Sequence, residues 1–162
     1  MDFQQALKKK PKYQVAYYNM GLALSQLGRY AEAIQNFERA VEIDPRYVEA
    51  LNNMGVAYAN SGQGLEALKY YHRALKIKPR FYEALVNLGM MYYQLGGFTD
   101  SRKAFRRALE IEPNCQSSYY HLGLIYASWK DKDEAMKQYE SLKALDPDMA
   151  DHLQREMIAR LY

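Results

Sequence analysis

The chain has 162 residues, 49% of them hydrophobic and 25% charged, which is an ordinary composition for one folded globular domain. The formal net charge of +3 is too small to indicate nucleic acid as a partner, and no apolar run approaches the roughly 18 residues that a membrane-spanning helix needs. No segment resembles a signal peptide, and the single cysteine, Cys115, allows no internal disulfide, so we expect a cytoplasmic protein.

A fixed period of 34 residues runs through the chain. The stretch from Tyr47 to Gly55 has counterparts that begin at Tyr13, Phe81 and Cys115. Five prolines keep the same spacing: Pro11, Pro45, Pro79, Pro113 and Pro147. A period in the range of about 20 to 50 residues is typical of repeat proteins, in which each unit packs mainly against its neighbours.

Residues 1–12 are predicted to form a half-repeat, consisting of the second helix of a repeat whose first helix is missing. Phe3 and Leu7 lie where the next copy has Phe37 and Val41. Two explanations remain open, a natural cap and a chain cut from a longer protein.

Four complete units follow, over residues 14–47, 48–81, 82–115 and 116–147, and each reads as two helices. In the unit 48–81, apolar residues three and four apart predict a first helix over 48–60. Gly62 is expected to end that helix in a left-handed conformation. A second helix is predicted over 65–77, and Pro79 ends it, because the residue before proline is pushed out of helical geometry.

Each first helix carries a glycine at its middle, although glycine there costs roughly 0.5–1 kcal/mol relative to alanine. Close approach of a large side chain from the second helix would offset that cost. The predicted pairs are Gly21 with Phe37, Gly55 with Tyr71, Gly89 with Phe105, and Gly123 with Tyr139.

Several positions depart from the pattern. Gly64 and Lys132 replace the aromatic residue expected after the turn between the helices, and Lys130 replaces the turn glycine of the fourth unit. Ser101 and Leu142 replace alanines.

Residues 148–162 are predicted to form a C-terminal capping helix. Ala150, Leu153, Met157 and Leu161, together with Ile158, make its inward stripe, whereas polar residues that include Arg160 are expected to face water.

The glycine, the alanines, the aromatic residue and the terminal proline resemble the tetratricopeptide repeat, and the resemblance covers about nine-tenths of the chain, from Gln14 to Pro147. It implies an all-α, right-handed α-solenoid of antiparallel helix pairs. It also implies a non-enzymatic protein–protein interaction scaffold or adaptor that binds a peptide in the concave groove lined by the first helices.

No pattern in the sequence indicates catalysis. The three histidines, His72, His121 and His152, lie far apart in different types of helix, and no metal-ligand spacing or phosphate-binding fingerprint occurs. Cys115 shares its repeat position with Tyr47 and Phe81 and is interpreted as a packing residue. We expect no enzyme activity, no cofactor and no metal.

The predicted binding residues follow from their offsets to the glycine of each first helix. They are Tyr18, Asn19, Leu22, Glu49, Asn52, Asn53, Val56, Asn60, Glu83, Asn87, Met90, Tyr93, Gln94, Tyr120, His121 and Leu124. Asn19, Asn53 and Asn87 form a column whose amides offer both donors and acceptors to a peptide backbone. The alternative is that asparagine is merely common at this solvent-facing position.

Some members of the family use lysines and arginines in the groove to clamp the acidic C-termini of heat-shock chaperones. The matching positions here hold Tyr18, Leu22, Asn53, Glu83 and Asn87, so the clamp is predicted to be absent. A neutral or mildly basic peptide fits this composition better.

The outward face of the second helices is rich in lysine and arginine between Lys69 and Arg107. It is interpreted as a solvated face with ion pairs inside each helix, and the alternative is docking of an acidic partner. Two alternatives to a free-standing adaptor also remain: a substrate-docking or regulatory domain of a larger enzyme, and a platform protein that self-associates.

Overall fold

The computed structural model describes residues 11–162, and those residues form nine α-helices and no strand. The helices are α1 Pro11–Gln26, α2 Tyr30–Ile43, α3 Val48–Asn60, α4 Gly64–Ile77, α5 Tyr82–Gln94, α6 Phe98–Leu109, α7 Gln116–Ser128, α8 Lys132–Leu145 and α9 Pro147–Leu161. The predicted half-repeat helix falls largely outside this range. Within it, no helix combines the length and the apolar character that crossing a bilayer requires.

The chain divides into two compact units, Met1–Ala84 and Leu85–Tyr162. In the first unit, α1 packs against α2, α2 against α3, and α3 against α4. In the second, α6 packs against α7, α7 against α8, and α9 against both α7 and α8. Within each unit, the helices named here thus pack against their sequence neighbours, as expected of helical repeats.

Close approach of an aromatic ring explains three of the four mid-helix glycines. A methyl group placed on any of them would overlap a ring of the following helix, since no real side chain sits so close. The nearest ring carbon would lie at 2.5 Å for Gly21 against Phe37, at 2.5 Å for Gly55 against Tyr71, and at 2.9 Å for Gly89 against Phe105. These three predicted pairs are confirmed.

The fourth predicted pair is wrong. The atoms nearest to a methyl group on Gly123 belong to Leu153 of α9, at 2.8 Å, and not to Tyr139. The reason is that α9 packs against both helices of the preceding pair and brings Leu153, which is fully buried, onto this glycine.

The turns between paired helices need a left-handed residue. Gly62 has a φ of +81°, as predicted, and Gly28 and Gly96 adopt similar values. Lys130 takes the same conformation with a φ of +63°, although a side chain disfavours it. Its Nζ donates a hydrogen bond to the carbonyl of Arg160, which partly offsets this cost.

Ser101 replaces an alanine without leaving an unsatisfied polar group. Its side chain is fully buried, and its Oγ donates a 2.8 Å hydrogen bond to the carbonyl oxygen of Gly89. The substitution therefore ties α6 to α5 at the close contact between these two helices.

In α9, Ala150, Leu153 and Met157 are buried, as the apolar stripe predicts. Ile158 is 53% exposed, so its assignment to the stripe is wrong. It follows Met157 directly and therefore points about 100° away around the helix.

Candidate peptide-binding surface

The sixteen predicted binding residues differ widely in accessibility. Exposed are Asn19, Glu49, Asn60, Glu83 and Gln94; half-buried are Tyr18, Leu22, Asn53, Val56, Asn87, Met90, Tyr93, Tyr120 and His121. Asn52 and Leu124 are buried, with 6% and 5% of their surfaces exposed. These two residues lie in the interior, where a partner does not reach them, and we leave them out of the surface proposed below.

In the first unit, a hydrogen bond joins the first helices of neighbouring repeats. Asn53 of α3 donates from Nδ2 to the Tyr18 hydroxyl of α1 over 2.9 Å. The Tyr18 ring in turn packs at 5.0 Å from the Tyr47 ring and at 5.9 Å from the Phe37 ring. Tyr18 is therefore held in place from three sides.

This hydrogen bond changes the role of Asn53. A side-chain amide has two N–H donors and a carbonyl acceptor, and Tyr18 takes one of the donors. Asn53 thus keeps a donor and an acceptor for a ligand, while its orientation is fixed by Tyr18. Asn19, one residue after Tyr18, is exposed.

A carboxylate lies beside the two tyrosines of the first unit. Burial raises the pKa of Tyr18, and the Glu49 charge raises it further; the same two causes act on Tyr47, together with the neighbouring Tyr18 and Asp44. Two tyrosine rings next to an exposed carboxylate form a place that favours a cationic side chain.

In the second unit, His121 is packed among aromatic rings. It stacks on Phe105 at 5.0 Å and meets the edges of Tyr93 and Tyr120 at 5.3 and 5.5 Å. Its Nδ1 lies 2.8 Å from the carbonyl oxygen of Ser117, so Nδ1 carries the proton and donates. Burial lowers the pKa of His121, although the hydrogen bond to Ser117 opposes this, and the neutral ring is therefore favoured. We interpret His121 as a packing residue rather than as a fourth member of the asparagine column.

The last helix contributes polar groups that the repeat pattern does not reveal. The Tyr120 hydroxyl lies 2.7 Å from Nδ1 of His152, and Nη1 of Arg160 donates to Oγ of Ser128 over 3.1 Å. The expectation that Arg160 faces water is therefore wrong. A residue 34 positions after Tyr120 would be Gln154, so α9 does not keep the register of the repeat.

A depression in the second unit lies away from these residues. Its volume is about 510 Å³, and it is lined by residues of α6, α7 and α8, namely Arg106, Leu109, Glu110, Leu122, Tyr126, Glu134 and Gln138. None of the predicted binding residues lines it. Because it is open and mixes charges of both signs, its shape alone does not define a ligand.

Over residues 11–162, no cluster of three histidine, cysteine, aspartate or glutamate side chains is arranged to hold a metal ion. Cys115 is buried, and its sulfur accepts a 3.0 Å hydrogen bond from Ser118 Oγ, which suits a packing role. The expected absence of enzyme activity and of a cofactor stays a prediction.

Comparison with known families gives consistent matches along the chain. Models described as TPR or tetratricopeptide repeat match residues 3–35, 21–62, 48–81 and 86–150. Among curated proteins, none matches the chain significantly.

Many solved structures share the fold. The MamA protein is 21% identical, with a TM-score of 0.78 over 92% of both chains. A tetratricopeptide repeat protein from Parabacteroides merdae is 18% identical, with a TM-score of 0.83 over 92% of this chain and 60% of its own. The first TPR domain of Spaghetti (RPAP3), bound to the HSP90 peptide SRMEEVD, is 20% identical, with a TM-score of 0.65 over 81% of this chain and 94% of its own. These similarities confirm the all-α solenoid fold class.

Proposed function

Because the chain belongs to the tetratricopeptide repeat family, we propose that it is a protein-interaction scaffold or adaptor that binds a peptide segment of a partner on the face of its first helices. The proposal concerns the kind of ligand and the residues that hold it.

The observation that carries the proposal is the Asn53–Tyr18 hydrogen bond between α3 and α1. It holds an amide and a tyrosine ring in fixed positions before any ligand arrives, which lowers the entropy cost of binding. The free donor and acceptor of Asn53 and the exposed amide of Asn19 suit the backbone of an extended peptide. Leu22 and Val56 each follow one of these asparagines by three residues. Both are half-buried, and their exposed parts offer apolar contact to a bound peptide.

The charge of this surface favours a neutral or mildly basic peptide. Glu49 and Glu83 are exposed, and the negative charge of Glu49 helps to raise the pKa of both Tyr18 and Tyr47. The Spaghetti domain binds an acidic peptide, SRMEEVD, but the predicted binding residues of this chain include neither lysine nor arginine. We therefore propose a different ligand class, one with a lysine or arginine beside small apolar residues.

The test begins with a random peptide library selected on the wild-type protein. The enriched peptides should be neutral or basic, and one of them is then titrated by calorimetry against the variant Asn19→Ala with Asn53→Ala. Each lost hydrogen bond contributes about 0.5–1.5 kcal/mol, so the loss of two should weaken binding by roughly 5-fold to 150-fold.

The matched control reverses two exposed cations of the second helices, Arg39→Glu with Lys137→Glu, and should leave affinity within about twofold. Tyr18→Phe gives a finer test, because it keeps the ring but releases the Asn53 amide. If the control loses binding and the alanine variant does not, the peptide docks on the second helices and the proposed site is wrong.

A further inference from the structure

The outward positions of the second helices differ in charge from one repeat to the next. Four such positions recur at 34-residue spacing, and their side chains are exposed with the single exception of the half-buried Ser141. They hold Gln35, Glu38, Arg39 and Glu42 in α2; Lys69, His72, Arg73 and Lys76 in α4; Lys103, Arg106, Arg107 and Glu110 in α6; and Lys137, Glu140, Ser141 and Ala144 in α8. The repeat itself does not dictate their charge, because the fold accepts acidic, neutral and basic residues there.

The basic residues of α4 outnumber the carboxylates of the same helix. Lys69 pairs with Glu66 at 3.1 Å, and Glu66 is the single carboxylate in the sequence of α4. The Arg73 guanidinium instead lies 5.3 Å from the centre of the Tyr70 ring. The corresponding arginine of α2, Arg39, pairs with Glu42 at 2.9 Å.

This arrangement opposes helix stability. Lys69 and Arg73 are four residues apart and Arg73 and Lys76 three apart, so like charges face each other along the helix. The turn adds Lys78 and Arg80. The sequence thus concentrates five cations and one carboxylate in residues 66–80 of a chain whose net charge is only +3.

We propose that the outward face of α4, comprising Lys69, His72, Arg73 and Lys76, docks a short acidic segment of a partner protein. From Lys69 to Lys76 the helix rises about 10.5 Å, with neighbouring cations about 5–6 Å apart. Alternate side chains of an extended peptide repeat at about 6.6 Å, so an acidic residue at every second position matches this spacing. This surface is separate from the peptide-binding surface of the first helices.

Two features favour a short acidic peptide over nucleic acid. The aromatic ring of the face is not available for stacking on bases, because Tyr70 is 8% exposed and stacks on Tyr58 at 5.2 Å. The outward face of α2 instead carries two exposed carboxylates, Glu38 and Glu42. A long polyanion that extended over α2 would therefore meet Glu38 and Glu42.

The test uses a fluorescein-labelled peptide of alternating glutamate and serine, with a second peptide that carries glutamine instead of glutamate. Fluorescence anisotropy is measured at about 150 mM salt, where the Debye length of about 8 Å leaves only close charge pairs effective. The α4 variant is Lys69→Glu with Arg73→Glu. The control variant, Arg39→Glu with Lys137→Glu, changes the same repeat positions in α2 and α8 and alters the net charge equally.

We expect the glutamate peptide to bind the wild type and the control within about twofold of each other and the α4 variant at least about tenfold more weakly. Circular dichroism should show equal helix content in all three proteins. The variant Asn19→Ala should keep full affinity, which separates this surface from that of the first helices.

Equal affinity of the α4 variant and the control would overturn the proposal, as would equal binding of the glutamine peptide. Duplex DNA and vesicles with anionic lipids are measured with the same two variants. If either of them binds in a manner that depends on α4 while the glutamate peptide does not bind, the class of partner is wrong.

Discussion

At the scale of single residues, the glycine at the middle of each first helix fixes how close the two helices of a pair can come. Gly55 is the clearest case, because a methyl group there would lie 2.5 Å from the Tyr71 ring, which is itself buried. We expect Gly55→Ala to destabilise the protein by about 1–3 kcal/mol through overpacking, even though alanine is the better helix former.

Chemical denaturation measures this change, and the double variant Gly55→Ala with Tyr71→Leu provides the control. Removing the ring should recover part of the lost stability, which a double-mutant cycle quantifies. Additive effects of the two changes would show that the contact between Gly55 and Tyr71 does not limit the approach of the helices.

Also at the residue scale, His121 should make stability depend on pH. Burial lowers its folded-state pKa below the unfolded value of about 6.5, so the unfolded chain binds the proton more readily. The stabilisation from the neutral ring is therefore present above about pH 6.5 and is lost as the pH falls through the folded pKa. Melting temperatures at about pH 7.5 and pH 5 should differ less in His121→Gln than in the wild type.

The exposed His72 provides the control position, and the variant His72→Gln is measured at the same two pH values. If His72→Gln and His121→Gln respond to pH alike, the buried position of His121 is not the source of the effect.

At the scale of helices, the repeat spacing predicts α2 to α8 to within a few residues, because turn glycines and prolines mark their ends. The repeat spacing also predicts three of the four glycine contacts, because the aromatic residue of each second helix keeps a fixed distance in sequence from the glycine. The spacing fails at α9, whose apolar stripe places Leu153 on Gly123 and whose His152 meets Tyr120 out of register. Because α9 lies outside the four repeated units, the repeat pattern does not predict how it packs.

The candidate surface, too, is only partly predictable from the sequence. Counting from the glycines identifies Tyr18, Asn19 and Asn53, but the count alone does not show that Asn53 donates to Tyr18 or that His121 is held between aromatic rings. Those features depend on which neighbouring helix supplies a partner, and that is set by packing between repeats rather than by position within one repeat.

At the scale of the molecule, the free energy of local unfolding should vary along the chain. In a helical repeat protein a helix packs mainly against its neighbours, so one helix can unfold without disrupting distant ones. The apolar residues of α1 illustrate this. Tyr17 and Met20 are 38% and 54% exposed, whereas Leu51 and Met54, at the corresponding positions of α3, are 0% and 1% exposed. Burying less apolar surface gives α1 less free energy to resist local unfolding.

We therefore expect the backbone amides of α1 to exchange with deuterium faster than those of α3 within the same unit, by about tenfold or more if local opening of α1 costs at least 1.4 kcal/mol less. Hydrogen exchange followed by mass spectrometry resolves the two helices, and α3 serves as the internal reference. Adding the peptide selected on the wild-type protein should slow exchange in both helices, because the proposed surface includes Asn19 of α1 and Asn53 of α3. Equal exchange rates in the free protein would contradict the uneven stability, and a peptide that protected α4 alone would place its site on the second helices.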